Sequence, residues 1–356
     1  MSNLENEKMK KNMISLLSLL FVCLSWSCTK EDIKNELDNI QYPDTTVLYQ
    51  NARVPAEWEP HGATWIQWAL DWEASMRKPF ADIIAIVKQY EPVHLITISE
   101  TEKTEAIEFM ANEGVTQDNI TWHIFDIDNS WMRDCGPIYL TDGEHTWIQN
   151  WKFDGWGTGF GNIPWQNDNQ VPVNVAGYLG LEVEDRQDYV LEKGNVEVNG
   201  NGILVINWDC QKDRNPNVSQ AHQEILLKNA LGITKVIWAY GHYDGDGTIG
   251  HIDGTARFID ENTIVIADYG SNLENNLALA CQNEDLEVIM YPGDLNWLVG
   301  NGFVVAMGNG NANDELIKSE LEELWPNHDV HVIDGSNMVD LGGGIHCVTN
   351  DQPVIF

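Results

Sequence analysis

From residue 51 onward one pattern recurs: a β-hairpin, an amphipathic helix, then a buried strand. The repeats come at a spacing of about 45 residues, in the range where internal repeats are sought. This recurrence constrains the fold strongly, because a unit of this size cannot cover its own apolar face and must bury it against its neighbours. The third copy is the plainest. Val196 and Val198 alternate with polar residues, Asn199-Gly-Asn-Gly202 supplies a hairpin turn, and Ile203 and Val205 return. A helix is predicted over 219–231, where Ile225, Leu226, Leu227 and Ala230 are apolar, and 236–240 reads as a buried strand.

The other copies follow the same order. The fourth has its hairpin at 255–259 and 263–267, its helix near 273–281 and its strand at 286–291. The fifth has strands at 297–299 and 303–307 about the turn Gly300-Asn-Gly302, a helix over 313–324 stopped by Pro326, and a strand at 330–333. The second has a hairpin at 138–140 and 146–151, a weaker helix near 173–179 and a strand near Tyr189. In the first, a strand at 64–68 precedes a helix opening at Pro79, with Phe80, Ile83, Ile84, Val87 and Tyr90 on one face. A strand at 93–98 and an extra helix and strand over 101–125 complete it. Five mixed units predict an α+β fold closed into a ring. Two separate domains are the alternative, but no Pro/Gly/Ser-rich break marks a boundary.

Composition agrees with a large core: 43% of the 356 residues are hydrophobic, and 15 are Trp. The charge of −35 repels nucleic acid and anionic membrane surfaces and attracts cations. Six cysteines, at 23, 28, 135, 210, 281 and 347, form no C-x-x-C pair and no zinc-type spacing with histidine. A chain of this size needs no disulfide framework.

The N-terminus reads as a targeting segment. Lys8, Lys10 and Lys11 precede an apolar run over 13–24, too short to span a bilayer. Leu24-Ser-Trp-Ser-Cys28 resembles a lipobox, so residues 1–27 are expected to be a lipoprotein signal peptide. Cys28 would then be the lipidated N-terminus, with 28–50 a polar linker and 51–356 the catalytic domain. The expected location is outside the cytoplasmic membrane, at the cell surface or in the periplasm, with membrane contact through the lipid alone.

The unusual polar residues fall at one phase of the repeat, the connection from one unit's last strand to the next unit's hairpin. These segments hold Trp131, Arg133 and Asp134; Glu192; His251 and Asp253; Asn296; and, after three consecutive glycines, His346 and Cys347. In a ring all five connections open on one axis, so a thiol, a histidine and several carboxylates would share a pocket. Taken singly, each has an ordinary explanation as a turn former, ion pair or solvated strand end. Together they suit one chemistry. A thiol reacts as the thiolate and needs a nearby cation. Carboxylates raise its pKa, so the cation must come from the substrate or a charged His251. Paired carboxylates match a planar guanidinium with its fixed fork of donors.

Val54-Pro-Ala-Glu-Trp-Glu-Pro60-His, Trp131-Met-Arg-Asp-Cys-Gly-Pro137, Phe153-Asp-Gly-Trp-Gly157, Arg214-Asn-Pro216, Gly250-His-Ile-Asp253 and Gly343-Gly-Ile-His-Cys347 resemble the agmatine deiminase family, which includes the bacterial-type peptidyl-arginine deiminases. The resemblance runs from about residue 53 to the C-terminus. It implies a five-bladed α/β-propeller, the pentein fold of the guanidine-modifying superfamily. It also implies a hydrolase that uses no metal or organic cofactor. By the same resemblance Cys347 would attack the guanidinium carbon. Asp134 and Asp253 would grip its nitrogens, His251 would serve as acid and then base, and Glu192 would orient His251. Trp131 would line the substrate channel, and Asn296 would contact the substrate.

Three residues depart from the family pattern: Lys193 stands in the family's Glu-Gly-Gly, Ile249 precedes Gly-His, and Leu295 replaces an aromatic. Between Asp134 and Arg186 no arginine is available for a C-terminal carboxylate, and Lys152 is the nearest substitute. The expected substrate is therefore agmatine, hydrolysed to N-carbamoylputrescine and ammonia, with peptidyl-arginine as the alternative. A non-catalytic guanidine- or polyamine-binding lipoprotein and a Cys-His-Asp peptidase are the alternatives of other classes.

Overall fold

The computed structural model of the chain describes residues 43–49 and 51–356. The expected signal peptide, the lipobox and Cys28 lie outside the described residues. The elements run β1 (His61–Gln67), α1 (Arg77–Val87), β2 (Val93–Thr97), α2 (Glu100–Asn112), β3 (Ile120–Ile124), α3 (Met132–Cys135), β4 (Ile138–Thr141), β5 (Thr146–Lys152), α4 (Val171–Leu179) and β6 (Val183–Val190). They continue with β7 (Glu197–Val198), β8 (Ile203–Asn207), α5 (Trp208–Arg214), α6 (Gln220–Leu231), β9 (Lys235–Ala239), β10 (Ala256–Phe258), β11 (Thr263–Ala267), α7 (Asn272–Gln282) and β12 (Glu287–Tyr291). The last are β13 (Leu298–Gly300), β14 (Phe303–Gly308), α8 (Asp314–Leu324), β15 (Asp329–Asp334), α9 (Ser336–Val339) and β16 (Thr349–Pro353).

The fold is mixed α+β, and its sheets repeat one topology. Strands β4-β5-β6, β7-β8-β9, β10-β11-β12 and β13-β14-β15 each form a sheet of an antiparallel hairpin followed by a parallel crossover strand. The fifth sheet has the order β16-β1-β2-β3, so its antiparallel strand comes from the far end of the chain. The expected helices stand where their caps put them. Ser219 caps α6 through the His222 amide, and Gly232 ends it at φ 68. Ser271 and Glu274 form a capping box on α7. Each of these helices buries its apolar stripe on its own sheet: Leu226 and Leu227 pack with Leu204 and Ile206, and Leu277 packs with Ile264 and Ile266.

Two features differ from expectation. Strand β16 was not anticipated, because its sequence, Thr-Asn-Asp-Gln-Pro, has no apolar alternation, yet all five residues are buried. Its polar groups are satisfied instead: Trp65 Nε1 donates to Gln352 Oε1 at 2.7 Å, and Arg133 and Lys193 each reach Asp351 Oδ1 at 2.6 Å. Helix α5 was also missed, being polar and short, with Asn207 capping the Asp209 amide. Described residues ahead of Asn51, from Asp44 to Tyr49, also make contacts with the body. Arg186 holds them there by donating to the Asp44 carbonyl at 2.7 Å and the Thr46 carbonyl at 3.0 Å, and Tyr49 stacks on Trp147.

The first sheet carries a buried histidine pair, His94 Nδ1 lying 2.8 Å from His123 Nε2, with Trp65 stacked on both rings. Burial lowers each pKa from 6.5 to about 4, and repulsion from His123 adds to the effect on His94. The folded state therefore binds fewer protons than the unfolded chain between those values, so the pair's contribution to stability is lost as pH falls through that window. His94→Phe keeps the aromatic stack and removes one titrating group. Its unfolding free energy relative to that of the unaltered chain should rise as the pH is lowered from about 7 to about 5, by up to about 1.4 kcal/mol per pH unit, and its Tm should rise with it. Parallel Tm curves would contradict this reading.

Candidate active site

Five segments meet at one place, each lying just before the first strand of its sheet. Helix α3 brings Asp134 ahead of β4, and a tight turn at Lys193–Asn195 follows Glu192 ahead of β7. A second turn, Ile252–Gly254, holds Asp253 just after His251 and ahead of β10. Asn296 precedes β13, and Cys347 precedes β16. Backbone bonds lash the segments together. The Arg133 amide donates to the Cys347 carbonyl at 3.0 Å, the His346 amide to the Asn296 carbonyl at 3.2 Å, and the Cys347 amide to Asn296 Oδ1 at 3.3 Å.

The structure thus brings Cys347, His251, Glu192, Asp134, Asp253 and Asn296 together. Cys347 Sγ lies 3.2 Å from Asn296 Nδ2 and 3.7 Å from Asp253 Oδ2. Burial drives the thiol pKa well above its ordinary range, and the charges of Asp253 and Asp134 drive it further. His251 Nε2 is 2.6 Å from Glu192 Oε2, and its Nδ1 is 3.4 Å from Asp134 Oδ1. Burial alone would discharge His251, but Asp134, Cys210 and Glu192 outweigh it and raise its pKa well above normal. Burial would likewise raise Glu192, but Arg214 and His251 hold it at about 2. Asp253 is held at about 2 against its burial, chiefly by His346 and then by His251 and Arg257. Asp134 has no such counterweight: burial lifts it to about 6, with Glu192 and Asp253 adding and His251 opposing.

Several supporting residues went unassigned in the sequence. Arg214, at the end of α5, donates from Nε to Glu192 Oε1 at 2.7 Å and from a terminal nitrogen to Oε2 at 3.1 Å. Trp156 donates its indole N–H to Asp134 Oδ2 at 2.8 Å. Gly155, Trp156 and Gly157 all have positive φ, 76°, 64° and 55°, a strained run that aims the indole inward. Ile249 also sits at φ 60°, which is uncommon for a β-branched residue. The glycine pair flanking Trp156 was the available signal. Glu192, Cys210 and His251 also offer ligand atoms within 4.8 Å of one another. The Arg214 guanidinium already supplies the cation that Glu192 needs, so this donor set is fitted to an ion pair.

A cavity of about 790 Å³ opens onto the cluster. His251, Asp253, Asn296 and Cys347 line its floor, and Phe160, Tyr243, Tyr269 and Asp294 belong to its wall. Trp131, expected to border a channel, is not among the residues lining this cavity. It is buried in the core under Gly343, where any Cβ would strike its indole. Asp134 and Glu192 are also outside the lining and meet the cavity through His251.

Lys193, the departure from the family's Glu-Gly-Gly, buries its Nζ 2.6 Å from Asp351 Oδ1 and so points away from the close approach at Gly194. A Cβ on Gly194 would lie 2.5 Å from Asp134 Oδ1 and 2.6 Å from His251 Nδ1. Gly194→Ala should therefore force those two side chains apart. Its turnover should fall by at least about tenfold, on the scale of misplaced catalytic groups, while Tm changes little. Unchanged turnover would show that the close approach is not needed.

The model of the Porphyromonas-type peptidyl-arginine deiminase family matches residues 53–290 and 282–353. The agmatine deiminase of Pseudomonas aeruginosa (strain LESB58) is 27% identical over 372 residues, covering 87% of this chain and 98% of that protein. Among solved structures, the agmatine deiminase of Enterococcus faecalis catalysing its reaction superposes with a TM-score of 0.77 at 21% identity, covering 88% of this chain and 98% of that one. An agmatine deiminase of C. Jejuni with substrate bound gives 0.76 at 20% identity, covering 87% and 99%. With its motifs matched from residue 53 to residue 353, the chain belongs to the Porphyromonas-type peptidyl-arginine deiminase family.

Proposed function

We propose that this chain is a hydrolase of linear amidines that converts agmatine to N-carbamoylputrescine and ammonia through a covalent intermediate on Cys347. The observation that carries this reading is the cavity lining, where a buried thiol lies 3.7 Å from a carboxylate and shares the lining with a histidine that touches two more carboxylates. A guanidinium entering there meets Asp253, whose Oδ2 is taken by His346 and Asn296. Its positive charge lowers the thiol pKa, and the thiol proton leaves to solvent. The thiolate then adds to the central carbon. His251, charged between Glu192 and Asp134, protonates one nitrogen, and the C–N bond breaks to release ammonia. The amidino-thioether that remains is attacked by water, which gives its proton to the now neutral His251. Collapse of that adduct expels sulfur, returns the thiol and leaves the ureido product.

The charges of the cavity lining bear on the rest of the substrate. Asp294 and Asp340 are among its lining residues, and among the described residues no Lys or Arg is. Lys152 does not reach it, and Arg186 is committed to Glu184 and to the backbone at Asp44 and Thr46. A second cation is welcome in such a pocket and a carboxylate is not. This favours agmatine over free arginine or a C-terminal arginine. The five like sheets, with β16 joining the chain's last segment to β1, support closure into the five-bladed α/β-propeller. Cys28 in its lipobox setting supports export and anchoring by lipid.

Mass spectrometry of reactions offered agmatine, free arginine and an arginine peptide together should find the ureido product of agmatine in at least about tenfold excess. Cys347→Ala should abolish it without a fall in Tm. Citrulline in the peptide as the main product would replace agmatine with peptidyl-arginine. Full activity of Cys347→Ala would end the covalent mechanism. The pH dependence has a definite sign. Asp134, at about 6, is ionised above that value, where it supports the charge on His251 that the reaction needs. The ratio kcat/KM should therefore fall with unit slope as pH drops below about 6, since it reports the free enzyme. A profile flat from about pH 7 to 5 would remove Asp134 from that role.

A further inference from the structure

His346 stands beside the nucleophile in the sequence and is almost wholly buried, at 2% exposure. Its Nδ1 lies 2.8 Å from Asp253 Oδ2 and its Nε2 lies 2.7 Å from Glu57 Oε2. Both ring nitrogens thus face carboxylate oxygens. A neutral imidazole has one N–H and one lone pair, so it would leave a lone pair against an anion. The carboxylates are not free to donate instead. Glu57 Oε2 also accepts from Arg257 at 2.7 Å, and Glu57 Oε1 accepts the Val299 amide at 2.9 Å. Asp253 Oδ2 also takes the Asn296 side-chain N–H at 3.3 Å.

We infer that His346 is an imidazolium built in beneath the substrate clamp, a positioning residue that keeps Asp253 ionised and leaves its second oxygen, Oδ1, to the guanidinium. The chain of contacts runs from the cavity floor inward: Asp253 to His346 to Glu57 to Arg257. Arg133 completes it, with Nε on the His346 carbonyl at 3.1 Å and a terminal nitrogen 3.8 Å from Glu57. The charged and titratable groups facing His346 are therefore Asp253, Glu57, Arg133 and, through Glu57, Arg257. Those facing Asp253 are His346, His251, Cys347 and, more distantly, Asp134, Arg257 and Asp294. The inward cation lets Asp253 stay charged in a cavity wall while no substrate is present, so the clamp is set before the ligand arrives. The identity of the ligand rests on the deiminase reading; the protonation of His346 does not.

Two measurements test the inference separately. Nitrogen-15 NMR of histidine-labelled full-length chain at about pH 7 should show an imidazolium pattern for His346, with both ring nitrogens protonated. The signal is assigned by its loss in His346→Asn. A neutral tautomer there overturns the inference even if the enzyme is a deiminase. Calorimetry then follows agmatine binding to Cys347→Ala, alone and combined with His346→Asn, which keeps an amide N–H near the Nδ1 position but carries no charge. The added substitution should raise Kd by at least about tenfold, the scale of a lost charged hydrogen bond. Below about pH 6 affinity should fall with unit slope in Cys347→Ala and with a slope approaching two in the double variant, because Asp253 then titrates alongside Asp134. Equal affinities and equal slopes overturn the inference, since a merely structural histidine would alter Tm and not the proton count. Absence of agmatine binding to Cys347→Ala itself would count against the deiminase reading and leave the NMR result to decide the state of His346.

Discussion

Buried carboxylates need partners, and in this molecule the partners come from behind. Glu192 is paired with Arg214, Glu57 with Arg257, Asp253 with His346, and Asp351 with both Arg133 and Lys193. An unpaired charge in such a place would cost about 3–5 kcal/mol, so each inward cation is a condition of the fold as well as of the site. Among the carboxylates gathered at the site, Asp134 is the exception. It has only an indole N–H and a histidine at 3.4 Å, and its Oδ1 and His251 Nδ1 are both buried without a hydrogen-bond partner among the described residues. The cluster is therefore one positive charge short around His251, which lines the cavity. A guanidinium supplies that charge, and the same event makes the adjacent sulfur reactive.

Backbone geometry makes this crowding possible. Gly194 lets Asp134 and His251 approach, and Gly343 lies flat on Trp131. The left-handed run through Trp156 spends local strain to deliver a single N–H to Asp134. These are features of loops, while the sheets beneath are ordinary hairpin and crossover units with apolar cores. Rigid repeats thus carry irregular segments that all open at the same phase, an arrangement suited to assembling a site from residues distant in sequence.

Much of the fold was legible because its signals are local. Alternating valines about Asn199-Gly-Asn-Gly202, the serine caps at 219 and 271, and the proline after α8 each announce an element through its own backbone needs. Strand β16 was not legible, because its residues are buried for their polar bonds and mimic a loop. The phase of the repeat located Cys347, His251, Glu192, Asp134, Asp253 and Asn296. It could not separate those that face the cavity from those that stand behind. Trp131 beside Asp134 suggested a channel wall, and in three dimensions it packs beneath Gly343, which lines the cavity. His346 sat in plain view next to Cys347, and only its two carboxylate neighbours, Asp253 and Glu57, reveal what it does.

The account turns on a cation completing the site for sulfur. The most direct measurement compares inactivation by 2-chloroacetamidine, a planar cation, with inactivation by 2-chloroacetamide, its neutral counterpart, each followed to adduct formation on Cys347 by mass spectrometry at neutral pH. The account predicts that the cation reacts more than about tenfold faster, beyond the two reagents' ratio with a small free thiol, as expected when an opposite charge lowers a thiol pKa by one unit or more. It also predicts that Asp253→Asn removes most of that advantage. Equal rates for the two reagents, or an advantage untouched by Asp253→Asn, would contradict it.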